Sequence, residues 1–181
     1  MSFRQSAVQT ALRIWETGPV FLDTETTGLH SNAEIIEITV IDSTGEVLLD
    51  RLIKPRRPIP VDVVRIHGIH EEMVRDAPGW MQVWPQVEAV LRGRSVGIYN
   101  ADFDLRLMQQ SHRLNGMLWR PPESSVFCIM KLYTDFSGAW SWQKLEDAGR
   151  QCRIPLPNTH RAKDDALLAR AIFQYMAEGG K

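Results

Sequence analysis

The run Ile35-Ile-Glu-Ile-Thr-Val-Ile41 is β-branched at every position but Glu37. Branching at Cβ favours an extended backbone and packs well on a pleated surface, so the run predicts a strand. A second short apolar run, Val20-Phe-Leu-Asp23, precedes it and also reads as a buried strand. Ser43-Thr-Gly-Glu46 is a turn, and Val47–Ile53 a third strand, so the three form a meander. Upstream, Ala7, Val8, Ala11, Leu12 and Trp15 recur at helical spacing, which predicts an amphipathic helix over about 4–16, stopped by Gly18-Pro19.

Beyond the meander, Pro55, Pro58 and Pro60 force an extended loop. A helix is predicted at about 80–92, ended by Gly93, then a strand at Ser95–Tyr99 running into a helix over 102–115. Ser124–Met130 offers a fifth strand, and helices follow near 142–152 and 160–177. Strands first paired in a meander and then alternating with helices predict an α/β fold: a ribonuclease H-like mixed five-stranded sheet flanked by helices. The 181 residues fit one domain covering 1–181, with the N-terminal helix packed on it.

Composition excludes several classes. Hydrophobic residues make up 44% and charged residues 24%, a globular balance. No apolar run approaches the ~20 residues that cross a membrane. The start, Met1-Ser-Phe-Arg-Gln-Ser-Ala, lacks a basic-then-apolar leader, so a cytoplasmic location is expected. Cys128 and Cys152 build no disulfide scaffold and have no zinc-like spacing. The net charge of −1 gives no global attraction to a polyanion, which would have to come from a local patch or bound cations.

The chemistry lies in three acidic stretches. Asp23 and Glu25 stand two apart where the first strand ends. Strand side chains alternate, so both project from one face, close enough to share a divalent cation, while Thr24 points to the other side. Gly28 then permits a sharp turn or close approach of a ligand. In Tyr99-Asn-Ala-Asp-Phe-Asp104 two aspartates compete. Phe103, Leu107, Gln110 and Leu114 form a core-facing stripe that Asp104 borders. Asp102 lines up with Arg106, Gln109 and Arg113, which makes it a solvated acid of the first helical turn. In Asn158-Thr-His-Arg-Ala-Lys-Asp-Asp-Ala166, Asp165 joins Leu168, Ala169, Ile172, Phe173 and Met176 on one apolar stripe. A carboxylate there is costly unless paired or metal-bound. Asp164 lies off that stripe and is expected to be exposed. His160 lies about 140° from Asp165 on an ideal helix, so it is expected to hang from the preceding loop.

Asp23-Thr-Glu25, Asn100-Ala-Asp-Phe-Asp104 and His160-x4-Asp165 resemble the three motifs of the DnaQ-like, or DEDDh, exonuclease superfamily, which includes the proofreading ε subunit of bacterial DNA polymerase III, ribonuclease T and oligoribonuclease. The resemblance runs from about residue 19 to 177 and includes His67-Gly-Ile69 and Leu145-Glu-Asp-Ala148. It implies that Asp23, Glu25, Asp104 and Asp165 hold two Mg²⁺ or Mn²⁺ ions and that His160 is the general base. It also implies that the terminal nucleotide lies against Thr26, Gly28 and Leu29, with His67, Asn100 and Phe103 in the substrate cleft. His67 and Asn100 also read as ordinary loop and turn residues. Two departures stand out: Tyr99 where many relatives have histidine, and Cys128-Ile129 where many have Asp-Thr. Neither touches an implied metal ligand, but both weaken any transfer of substrate preference.

The leading functional expectation is a 3′→5′ exonuclease releasing nucleoside 5′-monophosphates from single-stranded DNA, in proofreading or repair, with a possible polymerase or repair partner. The rival is an exoribonuclease trimming RNA 3′ ends or short oligonucleotides. A non-catalytic nucleic-acid binder or polymerase accessory is opposed by the intact acidic set with its histidine. Trp80 and Trp84, four apart, are expected in the core, whereas Trp140 and Trp142 beside the Gly138-Ala139 turn are the better candidates for base contact. Arg56, Arg57, Arg106, Arg161 and Lys163 stand near the motifs and could guide phosphates.

Overall fold

A computed structural model of the chain describes residues 2–157 and 159–180. Its sheet takes β1 (Val20–Thr26), β2 (Ile35–Ile41), β3 (Val47–Leu52), β4 (Ser95–Ile98) and β5 (Ser125–Cys128) in the order β3-β2-β1-β4-β5. The meander β1-β2-β3 is antiparallel, and β4 and β5 add in parallel on the other side of β1. Around the sheet lie α1 (Phe3–Trp15), α2 (Val61–His67), α3 (Glu71–Val74), α4 (Trp80–Leu91), α5 (Ala101–Leu114), α6 (Ile129–Ser137), α7 (Leu145–Gln151) and α8 (Ala162–Ala177). This is the ribonuclease H-like α/β architecture expected from the sequence.

Side-chain alternation along β1 divides the core. Val20 and Leu22 pack with Trp80, Trp84, Leu107 and Met108 of α4 and α5 on one face. Phe21 faces the opposite layer, with Phe136 of α6 and Ile172 and Phe173 of α8. All seven residues of β2 are buried, Glu37 and Thr39 included, and its aliphatic majority follows from helices that cover both of its faces. Trp80 and Trp84 are core residues, packed on each other at 5.4 Å between ring centroids and against a buried His112. Gly97 lets β4 pass between aromatic rings, since a Cβ there would meet Phe21 and Phe127 at 2.8 Å.

Several boundaries differ from the sequence reading, each for a local reason. β1 continues to Thr26, because β2 goes on pairing with it through Glu25 and Thr26. β4 pairs only with Val20–Leu22, so Asp23 to Thr26 have a free edge where α5 begins. The fifth strand ends at Cys128 rather than Met130, because the Met130 N–H turns to the Tyr99 carbonyl (2.9 Å) and starts α6. The proline loop gives way to α2, whose N-cap Pro60 has φ −62° and whose end is set by Gly68 at φ 69°. The helix expected near 142 begins at Leu145, leaving Trp142 in the preceding loop. Met1 and Asn158, both in stretches singled out by sequence, and Lys181 lie outside the described residues.

Candidate active site

β1 carries Asp23 and Glu25 out on the α8 face. Opposite them in β2 are Thr39 and Glu37. α8 supplies Asp165 from its first turn, and Asp23, Glu25 and Asp165 each present a carboxylate oxygen within 4.8 Å of the others. Asp104 arrives from the other side of β1, in the first turn of α5, where the Thr24 hydroxyl donates to its Oδ1 at 2.7 Å. Thr24 does point away from Asp23 and Glu25, and that orientation is what lets it reach Asp104. Asp104 and Asp165 are 4% and 6% exposed, whereas Asp102 is exposed and paired with Lys131 (2.6 Å). Helix phase therefore chose the inward aspartate correctly, although the buried stripe of α5 is rotated from the expected one: it runs through Asp104, Leu107, Met108 and Ser111, with Phe103 at its margin. Asp164 is half-buried rather than exposed, and accepts from the Thr159 hydroxyl (2.6 Å).

The electrostatics are those of acids crowded out of water. Burial pushes Asp23 well above the usual carboxylate range, and Asp104, Asp165, Glu25 and Glu37 push it further. Burial first, then Asp165, Glu37 and Asp104, raise Glu25 to about 9, against a smaller opposing pull from Arg161. Burial raises Asp104 to about 7, opposed by the Thr24 hydroxyl. Asp165 also reaches about 7, through burial and then Asp164, with backbone groups of Thr159 and His160 pulling it down. Such a set carries its full negative charge at neutral pH only when cations compensate it. Asp165 Oδ1 is buried without a hydrogen-bond partner, an orphan acceptor on a carboxylate of the cluster. Oxygen-only donors with an unsatisfied member fit a hard divalent cation such as Mg²⁺ or Mn²⁺.

His160 lies outside α8, two residues before its first residue, at φ 53°, a left-handed conformation that non-glycine residues seldom adopt. It lines a cavity of about 820 Å³ together with all four acids, Asn100 and Trp142. A neighbouring cavity of about 580 Å³ is lined by Thr26, Gly28, His67 and Ile66, and Leu29 and Phe103 border both. The four acids, His160, Asn100 and Arg106 thus line the first cavity and Thr26, Gly28 and His67 the second, whereas Arg56, Arg57 and Lys163 line neither.

Local contacts explain these placements. The Thr26 hydroxyl donates to the Gly28 carbonyl at 2.8 Å, and Gly28 takes φ 142°, so the chain turns sharply and leaves Leu29 exposed at the tip. His67 is buried at the end of α2. Its Nδ1 accepts from the Ile69 N–H (3.0 Å), while Nε2 has no partner, and burial lowers its pKa. It is therefore both a loop-capping residue and a cavity wall. Asn100 is exposed at the N-cap of α5, with no side-chain cap bond. Tyr99, one of the departures, fastens the site's rim: its hydroxyl donates to the Gln143 carbonyl at 2.8 Å, holding the loop that carries Trp142. Cys128, the other departure, donates through its thiol to the Tyr99 carbonyl at 3.3 Å.

Sequence reasoning missed the pairing of Glu37 with Arg161, which close on each other beside Glu25 at the start of α8. The signal was present: Glu37 is the one charge inside an otherwise apolar strand, and a buried charge demands a partner.

The exonuclease family model of ribonuclease T type matches residues 20–173. The chain is 36% identical over 193 residues to an uncharacterized exonuclease, CP81, of Escherichia phage 186, covering 99% of each chain. It is 33% identical over 181 residues to the DNA polymerase III ε subunit of Rickettsia conorii, covering 90% of this chain and 74% of that one. Against the ε-like protein of Rhodobacter capsulatus, 36% identical over 164 residues, it spans only 23% of the relative's length. Among solved structures, exonuclease X in complex with 5′-overhanging duplex DNA superposes with TM-score 0.64 at 25% identity, covering 90% of this chain and 99% of that one. The nuclease domain of 3′hExo bound to rAMP superposes with TM-score 0.77 at 17% identity, covering 90% and 93%, a likeness of fold. The chain belongs to the 3′→5′ exonuclease family of DnaQ and ribonuclease T type. It is accordingly a nuclease, a phosphodiester hydrolase.

Proposed function

We propose that this protein, as one catalytic domain, removes nucleoside 5′-monophosphates from the 3′ ends of single-stranded DNA, in proofreading or repair. The observation that carries the reading is the convergence of Asp23, Glu25 and Asp165 within 4.8 Å, in a cavity shared with Asp104 and His160 and bordered by exposed Leu29 and by Phe103. Two Mg²⁺ or Mn²⁺ ions on Asp23, Glu25, Asp104 and Asp165 would supply water activation and compensation of charge at the departing oxygen.

The chain's own residues account for the rest. Leu29 and Phe103 offer apolar faces to the terminal base and sugar. Thr26 and Gly28 present backbone beside them, and His67 and Asn100 line the cleft. His160 accepts the proton of the attacking water. The water oxygen bonds to phosphorus, the phosphorus–O3′ bond breaks, and the freed O3′ takes a proton. The strand, one nucleotide shorter, regains a 3′-hydroxyl. Trp142 is exposed on the cavity wall, and exposed Trp140 stands near it, as stacking surfaces for upstream bases.

Similarity to DNA polymerase III ε subunits favours DNA and suggests polymerase association. The likeness to a nuclease domain solved with rAMP keeps RNA as the second reading. Digestion of labelled single-stranded DNA, duplex DNA and RNA of one sequence, side by side with Mg²⁺, separates the two. Single-stranded DNA is expected to be cut fastest. Faster loss of RNA 3′ ends would replace this reading with that of an exoribonuclease.

A further inference from the structure

Glu37 is 3% exposed, lies directly across the sheet from Glu25, and has no part in the chemistry above. Its carboxylate is fully engaged. Arg161 Nε donates to its two oxygens at 3.2 and 3.1 Å, and Nη2 donates to Oε1 as well. The N–H of Ala162, the first residue of α8, donates to Oε2 at 2.9 Å. The N-cap residue of α8 is Arg161 itself, whose side chain makes no cap bond to the helix. A glutamate from the middle of β2 thus satisfies a free N–H at the start of α8, where a negative charge also meets the positive end of the helix dipole.

The position of this contact gives it consequence. Asp165 follows within the same turn, its N–H donating to the Arg161 carbonyl at 3.0 Å. His160 immediately precedes Arg161 and is held at φ 53°. A residue kept in a sparsely populated conformation persists only where its surroundings over-determine it, and the Glu37–Arg161 pair grips the chain one residue away.

We propose that Glu37 and Arg161 form a positioning latch that ties the start of α8 to β2 and thereby sets His160 and Asp165 against Asp23 and Glu25. Arg161 is then a positioning residue, not a guide for phosphates, because its guanidinium is spent on Glu37. The two-pronged geometry requires arginine, since a lysine keeps the charge but not the fork. The inference rests on the proposed roles of His160 and Asp165.

The test compares Arg161→Gln, Arg161→Lys and Glu37→Gln with the wild type, and runs Asp23→Asn in parallel. The readouts are kcat and KM on a single-stranded oligonucleotide, Mn²⁺ affinity by calorimetry, and Tm. Arg161 is part-exposed, with a side chain 38% accessible, so its variants should fold even where Glu37→Gln does not. Arg161→Gln is expected to lower kcat by about tenfold or more, because displacement of a catalytic group by about 1 Å costs on the order of 10²-fold. Mn²⁺ binding should weaken and KM should stay nearly constant, with Arg161→Lys recovering part of the loss. A raised KM with a shallower salt dependence and unchanged Mn²⁺ affinity would make Arg161 a phosphate contact and overturn the latch. Unchanged kcat and unchanged Mn²⁺ affinity would overturn it too. An inactive Asp23→Asn beside a wild-type-like Arg161→Gln defeats the latch alone. Full activity in Asp23→Asn defeats the site assignment, while Mn²⁺ affinity in the Arg161 variants still reads the latch.

Discussion

Replacing Asp23 with asparagine is expected to lower kcat by about 10³-fold or more while leaving the protein folded and more stable than the wild type without metal. The catalytic loss follows from the geometry. Asp23 is one of three carboxylates whose oxygens meet within 4.8 Å, so no neighbour can stand in for it. Charge stabilisation by a held cation is worth several kcal/mol, and each ~1.4 kcal/mol is a factor of ten in rate. The gain in stability follows from the same crowding. Burial and four neighbouring acids all work against the ionised Asp23, and asparagine removes the charge at nearly the same volume. Asp102→Asn is the matched control: Asp102 is an exposed acid paired with Lys131, and its loss should change Tm and kcat little. Activity assays and thermal unfolding in a chelator measure both effects. Wild-type kcat in Asp23→Asn would show that the acids belong to the structure and not to the reaction.

The second large effect is a fall in stability with rising pH that added metal opposes. Without metal, Glu25 titrates at about 9 and Asp104 and Asp165 at about 7 in the folded protein, all above ordinary carboxylate values. Between the unfolded values near 4 and these raised ones, the native state holds more protons than the unfolded chain. Stability therefore falls as pH rises through that window. The metal-free protein is expected to lose Tm steadily from about pH 5 to pH 9. Cations bind the deprotonated acids and release their protons, so Mn²⁺ affinity should rise with pH over the same range. The rise in Tm on adding Mn²⁺ should be larger at pH 8 than at pH 6. Thermal unfolding across pH, with and without Mn²⁺, checks both signs, and a metal-free Tm that climbs toward pH 8 would contradict the buried-acid account.

Much of this site was legible in the sequence because strands and helices impose simple periods. Asp23 and Glu25 share a face by strand alternation, and the helix period separated inward Asp104 from solvated Asp102. The apolar neighbours of Asp165 (Leu168, Ala169, Ile172, Phe173 and Met176), recurring at helical spacing, placed that acid on the buried side of α8. What stayed hidden depended on partners distant in the chain. Glu37 and Arg161 stand 124 residues apart and meet only because β2 and the start of α8 pack together. The role of Tyr99 depends on a partner 44 residues away, the Gln143 carbonyl that its hydroxyl holds. Short helices escaped as well: α2 and α3 hold seven and four residues, too few for an apolar period to repeat. The β-branched and apolar residues of 124–130 read as one strand, whereas the Tyr99 carbonyl draws the Met130 N–H into a helix.

The acids and His160 are expected to act together in cutting from the 3′ end. The most direct measurement is digestion of a single-stranded oligonucleotide labelled at its 5′ end, with Mg²⁺, with the released products identified by mass. The expected result is a ladder shortening one nucleotide at a time from the 3′ end, nucleoside 5′-monophosphates as the released species, and no cleavage once a chelator is added. Release of the 5′ label as a mononucleotide, internal fragments, or products bearing a 3′-phosphate would contradict it.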